Sequence, residues 1–199
     1  MRRAVPLWRS DHAYFAVAGQ CMTHGLSLWL PYFGTGTVAA RNAPYYGSGL
    51  TPVEPYAFWS NVTPGLCTGF DMRVKELDYT ALRRLIGQWR QIIPNYYGDY
   101  YPLTAWTRDE TSWMAWQFDR PETGEGLVQV FRRENSVYES ARFPLRGLDA
   151  NARYAVVNLD APEPKEFAGR QLMEKGLPVT LTEKPAATVI TYKRAVAGK

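Results

Sequence analysis

The chain has 199 residues, 46% of them hydrophobic and 21% charged, which is enough apolar surface for one large or two modest globular domains and sets intrinsic disorder aside. Its net charge of +4 sits in short pairs (Arg2-Arg3, Arg83-Arg84, Arg132-Arg133) and not in a basic stripe, which argues against a nucleic-acid partner. No apolar run reaches the ~20 residues of a membrane span, and two cysteines (Cys21, Cys67) with two histidines (His12, His24) form neither a disulfide framework nor a metal-ligand pattern.

The first element is a short apolar run, Ala4-Val5-Pro6-Leu7-Trp8, which ends at Arg9-Ser10-Asp11. A strand running into a charged turn fits it. Asp11 is the most suggestive acid of the chain, because barrel enzymes place catalytic groups at the C-terminal ends of their strands. The same pattern describes a loop aspartate capping a turn, and on pattern alone that is the commoner case.

Ser27-Leu28-Trp29-Leu30-Pro31-Tyr32-Phe33-Gly34 is a second apolar run, broken by Pro31 and Gly34. It reads either as the end of a helix or as a buried strand, because periodicity does not decide at this length. Residues 34–57, rich in Gly, Pro and Tyr, read as a long ordered loop. Asp71, near Arg73 and Lys75, reads as an ion-pair or helix-approach residue. The clearest helix covers residues 78–93. Leu82, Leu85, Ile86, Trp89 and Ile93 recur at three- and four-residue spacing on one face, Asp78 stands at the N-cap or first turn, and Pro94 marks the stop. Arg83, Arg84 and Arg90 fall on the solvated side.

From residue 99 onward the pattern changes to strand after strand. Asp99 reads as a turn residue and Asp109-Glu110 as solvated acids ahead of a strand. Strands are predicted over 112–119, 127–132, 139–146, 153–159, 177–181 and 187–193, and 169–176 has room for a helical turn. Turn signals at 121–126, 147–151 and 183–185 separate them. Short strands at this spacing predict an antiparallel sandwich. The aromatic fraction of 14% suits core packing first, and sugar faces second. There is no Gly-rich phosphate cradle and no Gly-x-Ser-x-Gly elbow, so the chemistry rests on carboxylates.

A run of segments in order carries a resemblance. Pro6-Leu7-Trp8-Arg9-Ser10-Asp11, Gln20-Cys21 and Thr23-His24-Gly25-Leu26-Ser27-Leu28-Trp29-Leu30-Pro31-Tyr32-Phe33-Gly34-Thr35-Gly36 are followed by Pro55-Tyr56-Ala57-Phe58-Trp59-Ser60. Tyr97-Gly98-Asp99-Tyr100-Tyr101-Pro102-Leu103-Thr104, Trp113-Met114-Ala115-Trp116-Gln117-Phe118 and the stretch 126–133 continue it. Together they resemble glycoside hydrolase family 36, the α-galactosidase family. The resemblance implies a fold of class α/β plus all-β. Residues 1–98 would be the last strands and helices of a TIM-type (β/α)8 barrel, and residues 99–199 the C-terminal antiparallel β-sandwich. It implies a retaining hydrolase of terminal α-linked galactose with two aspartates. Ser10-Asp11 matches the family's Ser-Asp motif, so Asp11 takes the general acid/base role.

The family's nucleophile, in a Lys-x-Asp-type motif, precedes this point, and Met1 then reads as an internal methionine. The isolated chain is therefore expected to lack turnover. Trp8 and Trp29 are candidates for an apolar wall that raises the acid's pKa. The expected partner is an α-galactoside; no nucleic acid, membrane, metal or organic cofactor is called for. Homo-oligomers are common in the family. Relatives in the wider group include α-N-acetylgalactosaminidases and raffinose-type transferases. The competing reading is a noncatalytic carbohydrate-binding or structural β-sandwich with an N-terminal extension.

Overall fold

The computed structural model of the chain describes residues 7–9, 15–41 and 53–195. It divides into two compact units, Met1–Ile93 and Pro94–Lys199.

In the first unit, β1 (Leu7–Trp8), α1 (Ala16–Leu26), β2 (Phe33–Thr37), α2 (Pro55–Asn61), β3 (Gly65–Thr68) and α3 (Tyr79–Ile92) alternate. The strands form one sheet in the order β1-β2-β3, and both pairings are parallel. Each parallel neighbour is reached through a helical crossover, as parallel pairing requires. Three strands make an open sheet. No closed (β/α)8 barrel is formed among the described residues, because closure needs a full ring of tilted strands.

The run 27–34 contains both of the structures its sequence allowed. Helix α1 stops at Leu26, a turn follows, and β2 begins at Phe33 once Pro31 is passed. Of the expected long loop over 34–57, residues 42–52 lie outside the described residues, and its two ends are regular structure. Gly34, Thr35, Gly36 and Thr37 are strand residues, and α2 begins at Pro55, a proline in the first helical turn. The glycine at 34 is what makes the strand work. A Cβ there would lie 2.9 Å from the Trp8 ring, so a side chain would displace the indole. Thr37 is buried and its hydroxyl donates to the Phe58 carbonyl at 3.1 Å, tying β2 to α2.

Helix α3 matches its expected span. The Asp78 carboxylate accepts from the Ala81 N–H at 2.9 Å as the N-cap. Its buried face is Leu82, Leu85, Gln88 and Ile92, so the face turns slightly from the expected one and Ile92 takes the place of Ile93. Trp89 is half-buried, and its indole N–H donates to the Thr63 carbonyl at 3.0 Å. Beyond Ile92 the chain tightens into a 3-10 turn, Ile93–Tyr97.

The second unit is antiparallel. Strands β4 (Asp99–Pro102), β5 (Met114–Arg120), β6 (Glu125–Arg132), β8 (Arg153–Asn158), β9 (Ala161–Ala168) and β11 (Ala186–Arg194) form a six-stranded sheet in the order β4-β5-β6-β11-β8-β9. Strands β7 (Ser140–Phe143) and β10 (Leu177–Thr180) pair separately, and α4 (Gly169–Glu174) precedes β10. The two sheets face each other across one core. Ala115, Val128, Val130, Tyr154, Val156 and Ile190 of the large sheet meet Phe143, Leu177 and Val179 of the small one, with Leu172 of α4 between. This is the predicted β-sandwich.

Two strands differ from the sequence expectation. Asp99 opens strand β4, opposite Asp119 of β5, and is not a turn residue. Strand β9 has no hydrophobic alternation and carries Pro162 and Pro164, so nothing in its pattern reads as a strand. It is the outermost strand of its sheet, the place where missing backbone donors are tolerated.

The other face of the large sheet is closed by aromatics. Tyr96 and Tyr100 pack on Phe118 with ring centroids 5.0 and 5.2 Å away, and Trp116 packs on Phe131 at 5.0 Å. Gln129 serves that layer: its side-chain oxygen accepts from the Tyr96 hydroxyl at 3.0 Å and from the Trp116 indole at 2.9 Å. The Arg132-Arg133 pair is structural. Both side chains are buried, Arg132 donating to the Leu181, Thr182 and Ser136 carbonyls and Arg133 to those of Thr107 and Asp109.

Candidate active-site strand end

The residue expected to carry the acid/base role, Asp11, lies outside the described residues, as do Ser10 and His12. What leads to it is well defined. Leu7 and Trp8 pair in parallel with Phe33 and Gly34, and the Arg9 N–H continues the ladder by donating to the Gly34 carbonyl at 3.0 Å. Ser10 and Asp11 follow Arg9 in the sequence.

Arg9 was the charged start of an expected turn. Instead its side chain is only 5% exposed. One terminal nitrogen donates to the Gly19 carbonyl at 2.7 Å and the Thr23 hydroxyl at 2.5 Å, both on α1. The other donates to the Asn61 side-chain oxygen at 3.0 Å, at the last residue of α2. The partners are neutral, and burial lowers the guanidinium pKa to about 10. No local sequence signal reveals this role, because the acceptors lie 10, 14 and 52 residues away.

The junction of α1 and α2 is polar throughout. The Gln20 amide donates to the Ser60 hydroxyl at 2.9 Å, and the Asn61 amide donates back to the Ala57 carbonyl at 3.3 Å. A Cβ at Gly19 would collide with the Asn61 side-chain oxygen, so a glycine is needed for the helices to approach this closely. Of the two expected wall residues, Trp8 lies against Gly34 and is 50% exposed, while Trp29, in the turn after α1, is 71% exposed.

The other acids have the roles their surroundings dictate. Asp71 forms a surface ion pair with Arg73 at 2.7 Å, whose hydrogen bonds hold the carboxyl down to about 2. Asp109 caps its own turn through Thr111 and Ser112, which lowers its pKa. Cys21 is buried and Cys67 exposed, and neither forms a disulfide among the described residues. Among the described residues no group of three potential ligands could hold a metal ion, and no helix is long and apolar enough to cross a membrane. In the second unit a cleft of about 650 Å³ opens between β9 and β10. Val156, Ile190, Leu177 and Val179 form its apolar floor, and Glu163 and Lys165 stand on its rim.

The described residues thus hold a parallel strand–helix unit, with sheet order β1-β2-β3, followed in sequence by an antiparallel β-sandwich. Residues 113–192, within the second unit, match the model of the glycosyl hydrolase family 36 C-terminal domain. No curated protein sequence matches the chain significantly.

Several solved structures resemble it along 90% of its length. One is the galactosidase domain of an α-galactosidase-sucrose kinase, with 20% identity and a TM-score of 0.67, the chain covering 25% of that structure. A second is the family 36 α-galactosidase AgaA A355E from Geobacillus stearothermophilus in complex with 1-deoxygalactonojirimycin, with 17% identity, a TM-score of 0.70 and 24% covered. A third, AgaB from the same organism, has 19% identity, a TM-score of 0.66 and 24% covered. At these identities the likeness concerns the fold, and the chain spans about a quarter of the length of the structures it matches.

Proposed function

We propose that this chain is the C-terminal portion of a retaining α-galactosidase-like glycoside hydrolase, with Asp11 as its general acid/base. One observation carries the reading: the likeness to galactosidase structures extends over 90% of the chain, well beyond the sandwich segment that matches the family model. On this reading residues 1–98 supply the last strands and helices of a (β/α)8 barrel, and 99–199 are the β-sandwich that follows it. The parallel order β1-β2-β3, with helical crossovers, is the arrangement such a barrel segment would have.

In a retaining mechanism one carboxylate attacks the anomeric carbon while a second, ~5–5.5 Å away, protonates the departing oxygen. That second group then removes a proton from the water that releases the sugar. Asp11 fits it by its Ser-Asp motif, three residues after strand β1 in the sequence. Its partner carboxylate would come from another part of the enzyme. The likeness to a structure in complex with 1-deoxygalactonojirimycin supports a galactoside as substrate.

The test is made in the enzyme that carries this chain. Asp11→Ala should lower kcat by about 10²–10⁴ on galactosides with poor leaving groups. It should affect glycosylation by activated aryl galactosides far less, because those leaving groups need no proton. Equal activity on both substrate types would remove Asp11 from the role. The purified 199-residue chain alone should show no hydrolysis of an aryl α-galactoside; measurable turnover would overturn the view that it is half of the device.

A further inference from the structure

We propose that the cleft between β9 and β10 is a saccharide-binding site of the β-sandwich, taking a neutral glycoside with its C–H face on the apolar floor and its hydroxyls at the rim. Asp11 has no part in it.

The cleft follows from the topology. The small sheet has two strands against six in the large one, and β10 is four residues long against eight in β9. The inner face of β9 is therefore left partly uncovered. Successive strand residues alternate between faces. Ala161, Glu163, Lys165 and Phe167 all line the cleft, whereas Glu166, on the other face, pairs with Arg153 at 3.0 Å. Two opposite charges thus stand where a sandwich strand would ordinarily turn apolar side chains to the core. Charges on an inner face discourage strand addition, but Pro162 and Pro164 already remove two backbone donors from this edge.

Three polar groups at the cleft are not engaged by the protein. Glu163 and Lys165 have no hydrogen-bond or ion-pair partner among the described residues. The Asn158 side-chain oxygen accepts from the Thr188 hydroxyl and the Asp160 N–H, both at 3.0 Å, and its amide N–H groups have no partner among the described residues. The rim thus offers an acceptor in the carboxylate and donors in the ammonium and the amide, with no net charge. Beneath it the floor is buried and aliphatic, and the half-buried Phe167 packs against the same core. The volume of about 650 Å³ falls within the range of ~300–1,000 Å³ typical of small-molecule sites.

These features select the ligand. An anion would be repelled by Glu163 and a cation by Lys165. An alkyl chain would take the three polar groups out of water without giving them partners. A sugar ring matches the set, because its hydroxyls both donate and accept while its C–H face suits an aliphatic floor and an aromatic ring.

NMR titration of the isotopically labelled 199-residue chain with raffinose, methyl α-galactoside and maltose tests this, with sodium octanoate as the apolar-chain control. At least one sugar should give saturable shifts in residues 158–167 and 177–180, with a Kd of about 1–10 mM. Glu163→Ala and Lys165→Ala, at exposed positions, should each weaken that binding about tenfold and leave the spectrum elsewhere unchanged. No saturable shift at these strands with any of the three sugars, at concentrations far above that Kd, would overturn the proposal. So would unchanged affinity in both variants. Shifts confined to the first unit would place the sugar elsewhere, and octanoate binding without sugar binding would make the cleft an apolar-chain site; either result also overturns it.

Discussion

Asp119 is a carboxyl group where a sandwich core would ordinarily hold an apolar side chain. It is 2% exposed, accepts a hydrogen bond from the Tyr192 hydroxyl at 2.6 Å on one oxygen, and has no partner on the other. Gln117 completes the node. Its amide donates to the Tyr192 hydroxyl and the Arg146 carbonyl, each at 2.7 Å, and its oxygen accepts from the Arg146 N–H at 2.8 Å. Gly147, at φ +77°, lies against the carboxyl; a Cβ there would come 2.6 Å from the unpartnered oxygen. Burial raises the Asp119 pKa first, and the Asp99 and Glu122 charges add to it, against the Tyr192 hydrogen bond, which lowers it. An acid with a raised folded-state pKa favours folding below its unfolded value of 3.8 and loses that contribution as pH rises through the folded value. Asp119→Asn keeps an oxygen for Tyr192 and removes the charge. It should therefore raise the Tm at pH 7 relative to the unaltered chain, with the gain shrinking toward pH 3; thermal unfolding at both pH values checks the sign. None of this was legible in the sequence, where Asp119 is simply the last residue of an alternating strand.

Among the elements, α3 and β9 mark the two extremes of legibility. Helix α3 announces itself because cap, apolar spacing and terminating proline agree, and each is a local property of the chain. Asp78→Ala removes the cap and should lower the stability of the first unit by ~1 kcal/mol, read by denaturant unfolding. Leu85→Ala, at a fully buried position of the same helix, should lower it by ~2–5 kcal/mol. Strand β9 is invisible for the opposite reason. Its partner β8 supplies one ladder, its other side is free, and Pro162, Pro164, Glu163 and Lys165 suit an edge that must not recruit another chain. Replacing both prolines by threonine should increase self-association of the chain, measured by sedimentation velocity. An unchanged monomer fraction would show that the charges suffice. Strand β2 lies between these cases: glycines that read as a loop are strand positions that give room to the Trp8 ring.

At the scale of the whole molecule the two units differ in how completely they bury their own surfaces. The sandwich has two facing sheets and one continuous core. The parallel unit ends at β1, whose Leu7 and Trp8 are about half exposed. Limited proteolysis should therefore leave a resistant fragment beginning within about residues 95–110, where the second unit starts; equal protection of both units would count against an incomplete barrel segment. The sequence by itself determined helix α3, most of the sandwich strands and the short strand at Leu7–Trp8. These follow from periodicity and punctuation, which are properties of neighbouring residues. Only the tertiary structure decided that Arg9 is buried, that Asp99 begins a strand and that Asp119 is buried against Tyr192 within the sandwich. Each depends on residues remote in the chain, up to 73 positions away for Tyr192 and Asp119. Burial and hydrogen-bond satisfaction are settled when distant segments meet, and no local pattern encodes them.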